Sequence, residues 1–524
     1  MPLTIRFDNS YARALEGGYI PWQGDAAPSP KVLKLNRALA TELGLDPAAW
    51  DSDAGAAVLT GAVAPAGASP LAMAYAGHQF GGFSPRLGDG RALLLGEVID
   101  TTGARRDLHL KGSGRTPFSR GGDGKAVLGP VLREYLMGEA MHALGIPTTR
   151  ALAACTTGEA VLRDGGPQQG AVLARVAASH LRVGTFQYFA ARGEDDSLAR
   201  LADHAIARHD ADLVGRPDRY LRFLENVIAR QAALVARWMQ VGFVHGVMNT
   251  DNVAISGETI DYGPCAFLDT YDAGMVFSSI DAQGRYAFDN QPGIARWNLA
   301  RFAEALLPLL AADENEAIAM ATAAIDGFAA VYEAAWTQGM RGKLGLVSVE
   351  DGDTALAQGL YRAMQGQGVD HSNVFRAIAR LAGGDERALR AEFTDPAAVA
   401  DWQARYLARL GRDAPDLLAP DLLAPDLLAP DLLAPDATAR TEAACTEAAR
   451  TAARAAAMNA VNPAYIPRNH LVEAALTAAA QGDMAPFERL LAVLSDPYTE
   501  VAGQETFAAP APSGAGRYRT FCGT

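Results

Sequence analysis

Cysteine is scarce in this chain of 524 residues. Four occur, Cys155, Cys265, Cys445 and Cys522, and none forms a Cys-x-x-Cys pair, which excludes the usual structural zinc spacings. Positive charge is also in deficit. The formal net charge is −14 and the pI about 5.2, which argues against general nucleic-acid binding, because that needs a basic surface. No basic N-terminal segment leads into an apolar run, so no signal peptide is expected. No run of about 18 apolar residues reads as a transmembrane helix. His78, His180 and His245 have no metal-ligand spacing between them. The expectation is a monomeric cytoplasmic protein with no nucleic-acid or membrane partner.

What is present is a large apolar fraction, 49%, enough for a sizeable core in roughly two to four domains or lobes. Residues 1–70 read as an N-terminal extension, with helical spacing over Lys31 to Leu43. Residues 71–180 read as a small lobe of strands around one long helix. Its predicted strands cover Ala92 to Ile99, Asp107 to Lys111 and Gly170 to Ala178. Thr156-Thr157-Gly158-Glu159 suggests a hairpin turn, and Val131 to Leu144 has helical spacing. Residues 181–414 are mostly helical, with a long helix over Leu221 to Met239 and short strands near Val253–Ile255 and Thr259–Ile260. Residues 415–436 repeat Pro-Asp-Leu-Leu-Ala four times. Recurrent proline blocks a helix there, so the segment reads as a linker. Residues 437–524 read as C-terminal helices and a tail, with an alanine-rich helix over Ala437 to Ala457. The fold class expected is α+β, in the outline of a two-lobed protein kinase with an N-terminal extension and extra C-terminal helices.

The most telling absence is a single carboxylate. His245-Gly246-Val247-Met248-Asn249-Thr250-Asp251-Asn252 keeps the frame of a kinase catalytic loop, with a histidine at the start and an asparagine at the metal position. Asp261-Tyr262-Gly263 stands nine residues later, where the metal-binding triplet belongs. The position of the catalytic aspartate, however, holds Val247, which cannot accept a proton. The metal and nucleotide apparatus is kept while the ordinary phosphotransfer base is missing.

The rest of that apparatus follows in kinase order. Lys111 ends a predicted strand, and Glu134 on the next helix is its expected ion-pair partner, with Glu139 a rival. Asn252 and Asp261 offer hard oxygen donors suited to Mg²⁺ or Mn²⁺. Asp251, beside Asn252, is a candidate alternative base. Gly88-Asp89-Gly90-Arg91 precedes a strand; its glycines admit close backbone approach and Arg91 can reach a phosphate or a base. Between Gly112 and Gly124 there are five glycines in thirteen residues, with Arg115, Arg120, Asp123 and Lys125. That density fits a phosphate-cradling loop better than a plain connection. Arg175 and Arg182 flank a strand-to-helix passage and could clamp a polyphosphate. His245 is expected to support its loop by hydrogen bonding.

Together these segments resemble the selenoprotein O family of pseudokinases, which are protein adenylyltransferases. The resemblance runs from about residue 9 to the C-terminus. It is carried by Tyr75–Gly81, Leu87–Arg91, Leu110–Arg120, Gly246–Asn252, Asp261–Pro264 and Asn462–His470. It implies a kinase-like fold that binds ATP in a flipped orientation and transfers AMP to Ser, Thr or Tyr of other proteins. It further implies ATP contacts from Gly88, Gly90, Arg91, Lys111, Asp123, Gly124, Arg175, Arg182 and Asp261. Metal binding by Asn252 and Asp261, and proton acceptance by Asp251, are implied likewise. The selenocysteine of animal members is represented at most by Cys522. A γ-phosphate-transferring kinase and an ATP-binding module without catalysis are the alternatives. Val247 argues against the first, and the complete Lys111, Glu134, Asn252 and Asp261 set against the second.

Cys265 lies four residues beyond Asp261, in the segment equivalent to an activation loop, and Cys522 lies on the Gly/Pro-rich tail. A disulfide between them that restrains the loop and lowers activity is expected. UTP in place of ATP, and the choice between Mg²⁺ and Mn²⁺, stay open.

Overall fold

The computed structural model describes residues 3, 5–413, 447–512, 516 and 518–521. The Pro-Asp-Leu-Leu-Ala repeat and Cys522 lie outside them. The strands are β1 (Tyr19–Pro21), β2 (Lys31–Leu35), β3 (Leu71–Met73), β4 (Gly77–Gln79), β5 (Gly82–Ser84), β6 (Ala92–Ile99), β7 (Arg105–Lys111), β8 (Ala126–Val127), β9 (Arg150–Arg163), β10 (Gly166–Ala177), β11 (Phe243–Val244) and β12 (Ala266–Phe267). Among the described residues, eight of these form one antiparallel sheet in the order β1-β3-β6-β7-β10-β9-β2, with β8 also on β10. The sheet is thus mixed with helices in an α and β protein, and segments from before residue 70 supply both of its edges.

Side chains alternate across a strand with a period of two. Leu108 and Leu110 of β7 therefore face one core, with Leu39, Trp50 and Leu59 from the N-terminal helices. Asp107, His109 and Lys111 face the other side, where the helix Leu128–Ala143 packs with Val131, Leu132 and Leu136 buried. That second side is where charge collects. Helices dominate beyond residue 182, led by Arg219–Val241, whose Phe223, Val227 and Val235 are buried.

Three local expectations change. Lys31 to Leu43 is strand β2 followed by the helix Arg37–Glu42, because Asn36 caps that helix by accepting from Leu39 N at 3.1 Å. Thr156–Glu159 is no hairpin end: β9 runs on to Arg163, and Gly158, with φ of 80°, lies in an irregularity of the β9–β10 register. Turn-forming residues here make a bulge, which uses the same glycine freedom. The strands expected at Val253–Ile255 and Thr259–Ile260 reduce to single bridges, Arg182 to Ala254 and Thr148 to Thr259. One further run departs from the sequence reading. Glu314–Lys343 is long and apolar enough, by length and composition, to cross a membrane. Alanine supplies much of that apolarity, and the run packs Phe328, Trp336 and Met340 into the core.

Candidate active site

The charged face of the sheet opens into a cleft of about 460 Å³. Gly88, Gly90, Arg91, Lys111, Asp123, Gly124, Arg175, Arg182, Asp251, Asn252 and Asp261 all line it, so the structure brings together the dispersed residues that the sequence singled out. Glu134 stands directly behind. Lys111 Nζ lies 2.7 Å from Glu134 Oε2 and 2.6 Å from Asp261 Oδ1. The rival Glu139 is taken by Arg150 at 2.9 Å and by Asn36 at 2.8 Å.

Asp261 is the hub. Arg175 Nη1 reaches its Oδ1 at 2.7 Å and Glu134 at 3.0 Å, and Arg182 Nη1 reaches its Oδ2 at 3.0 Å. Burial alone would raise the Asp261 carboxyl. Lys111, Arg175 and Arg182 outweigh it and hold the group well below the ordinary carboxylate range. Asp261 also has φ of 65°, a conformation that costs a non-glycine residue energy and that collects at functional sites. Three cations on one carboxylate make a cluster that a polyphosphate can enter by taking over their hydrogen bonds.

The catalytic-loop residues are fixed differently. His245 donates from Nε2 to Ile260 O at 2.9 Å, and its Nδ1 faces Val247 N, as its supporting role requires. The Asn252 amide donates to Val247 O at 3.0 Å, which turns its carbonyl oxygen the other way. Arg182 also donates to Asp251 O at 2.8 Å and lies over the Tyr75 ring at 4.7 Å. One oxygen of the Asp251 carboxylate is left available: Oδ1 is buried and has no hydrogen-bond partner, while the carboxylate also accepts from the Gln79 side chain. Burial pushes its carboxyl up to about 6 while Arg182 opposes the rise. A carboxylate at that value is mostly ionised at neutral pH yet basic enough to take a proton.

Two glycines keep this space open. A Cβ on Gly77 would lie 2.6 Å from Asp251 Oδ1, and one on Gly88, at φ of 78°, would lie 2.3 Å from the Phe118 ring. Gly77→Ala should therefore lower transfer by about 100-fold, the cost of a misplacement near 1 Å, and lower the melting temperature as well, because the same Cβ would meet Leu87 at 2.9 Å. Transfer within threefold of wild type in a steady-state assay would remove the steric argument.

Asp123 accepts from Arg163 at 2.7 Å and from Lys125 N at 2.9 Å, which shapes the glycine-rich loop. Sequence reasoning passed over Asp89 and His109. Asp89 sits between the two glycines it did single out, and His109 lies two residues before Lys111 on the same face of β7, so the alternation could have found it. Cys265 is buried, and burial raises its thiol to about 11. Thr520, two residues before Cys522, donates to Pro264 O at 2.7 Å. The tail thus reaches the segment after Asp261; Cys522 itself lies outside the described residues.

Residues 3–495 match the family model described as protein adenylyltransferase SelO. The chain belongs to the SelO family. A relative called protein nucleotidyltransferase YdiU, from Cereibacter sphaeroides, is 58% identical over 523 residues and covers the whole of both chains. Relatives of the same name from Methylorubrum extorquens and a Mycobacterium species are 53% and 52% identical, over 100% and 99% of this chain and the whole of theirs. In this SelO chain the oxygen donors suit a hard divalent cation. The Asn252 carbonyl and the Asp261 carboxylate line one cleft, and the unpartnered Asp251 Oδ1 stands beside them.

Proposed function

We propose that this protein, a nucleotidyltransferase that acts on proteins, binds ATP in the Lys111–Asp261 cleft and transfers AMP to Ser, Thr or Tyr hydroxyls. The observation that carries the reading is the buried, unpartnered Asp251 Oδ1 in the same cleft as the cation cluster, with Val247 at the usual base position. Arg175 and Arg182 would hold the distal phosphates, which leaves the α-phosphate nearest Asp251. In the step itself an acceptor oxygen bonds to the α-phosphorus and the bond to the β-phosphate oxygen breaks. The hydroxyl proton passes to Asp251 and pyrophosphate leaves. Lys111, Arg175 and Arg182 offer fixed positive charge to the phosphates and the departing pyrophosphate.

Asn252 and Asp261 would hold Mg²⁺ or Mn²⁺, which when bound supplies Lewis-acid neutralisation of phosphate charge. Gly88, Gly90 and Gly124 would let backbone approach the nucleotide, with Arg91 and Asp123 at its edge. A kinase-like two-lobed architecture fits the sheet followed by helices. We extend the proposal to a monomeric, cytoplasmic enzyme.

The test is mass spectrometry of bacterial proteins incubated with enzyme and ATP. Adducts of AMP mass on hydroxyl side chains are expected. Phosphate adducts alone would make the protein a kinase.

The reading also includes a restraining Cys265–Cys522 disulfide. The docking of Thr520 on Pro264 supports it, while the raised thiol of Cys265 makes formation slow, since the thiolate is the reactive form. Peptide mapping after mild oxidation should find the cross-link together with lowered activity. A map without it ends this part of the account.

A further inference from the structure

One group buried behind the cleft takes no part in that chemistry. His109 is fully buried on β7, directly across from Arg175 of β10. Its Nε2 lies 3.1 Å from Asp89 Oδ2, and its Nδ1 lies 3.2 Å from Arg175 Nε. These partners fix the tautomer. A guanidinium has no acceptor, so Nδ1 must carry the lone pair. An ionised carboxylate has no proton to donate, so Nε2 must carry the hydrogen. Burial holds the His109 imidazole below its ordinary value despite Asp89, in keeping with a neutral ring. The ring face is pressed by His180, stacked at 4.2 Å with a 17° tilt, and His180 is itself held by Asp107 at 3.2 Å. Asp89 also accepts from Met73 N at 3.1 Å, which secures the far end.

The geometry points to His109 as a positioning residue of the transfer reaction: one fixed tautomer aims the Arg175 guanidinium at Asp261 and links it, through Asp89, to the Gly88–Arg91 loop. The inference rests on the reading of this cleft as the ATP site. A nucleotide entering between that loop and Asp261 would meet an arginine already oriented at both ends. Asp89 donates nothing to the chemistry itself; it holds the ring that holds the arginine.

Two near-isosteric variants separate the contacts. His109→Asn places an acceptor oxygen close to the Nδ1 position and so keeps a partner for Arg175. His109→Gln reaches the Nε2 position and keeps a donor for Asp89 only. Steady-state transfer should show kcat lowered about 100-fold in His109→Gln, with KM for ATP changed less than threefold, and largely recovered in His109→Asn, within about tenfold of wild type. A merely space-filling role would not rank the two this way. Nitrogen NMR of histidine-labelled wild type gives a readout independent of turnover, and the His109 proton should sit on Nε2. Equal losses in the two variants, or a proton on Nδ1, would overturn the proposal alone. Absence of any AMP transfer by the wild type would overturn it together with the reading it rests on.

Discussion

Asp261→Asn should lose AMP transfer by about 1000-fold or more, the equivalent of several kcal/mol of lost charge stabilisation, in a protein that remains folded. The size of the effect follows from the number of groups that meet on one carboxylate. Lys111, Arg175 and Arg182 all touch Asp261 within 3.0 Å. The same carboxylate lies in the cleft with Asn252, its expected co-ligand. The amide keeps the shape and one acceptor oxygen but removes the charge. Asp261→Ala, which sequence spacing alone would expect to abolish transfer and leave the fold intact, is a different experiment. It leaves Lys111 and Arg175 sharing Glu134, and Arg182 with Asp89 no nearer than 4.0 Å. Breaking a buried ion pair from one side costs about 3–5 kcal/mol, so the alanine variant should also melt earlier. Thermal unfolding and transfer assays on both variants check the pair. Near-normal transfer in folded Asp261→Asn would remove Asp261 from the site.

Asp251→Asn should lower transfer by between about 100-fold and 10,000-fold, the range for a lost general base, and leave ATP affinity nearly unchanged. Oδ1 has no partner to lose, and the amide oxygen of asparagine can still accept from Gln79, so the substitution removes basicity with little structural consequence. ATP titration by calorimetry and single-turnover transfer separate the two effects. A loss under tenfold would mean that the acceptor proton leaves by another route.

How much of this was legible in the sequence depended on how far each signal reached along the chain. The catalytic loop and Asp261 could be read from the spacing of a kinase motif, and the Lys111–Glu134 pair from strand alternation and helical spacing. Glu134 over Glu139 was right for a reason spacing only hints at: Glu139 faces Arg150 and Asn36. The convergence of Arg175 and Arg182 on Asp261 was not readable. It depends on β10 lying beside β7, a pairing between segments more than sixty residues apart. Strand alternation could place His109 on the face of Lys111, but its role comes from its cross-strand partner Arg175, which spacing does not show. The Lys31–Leu43 segment misled because one asparagine, Asn36, ends a strand and starts a helix within a stretch of helical spacing.

The most direct test of the central claim is to supply ATP labelled with ³²P at either the α or the γ position and follow label into protein. If Asp251 directs attack at the α-phosphate and pyrophosphate departs, protein acquires label from the α position and none from the γ position, and Lys111→Ala and Asp251→Asn each suppress it. Label entering protein from the γ position, and lost in Asp261→Asn, would contradict the account and make the protein a kinase that manages without a base at Val247.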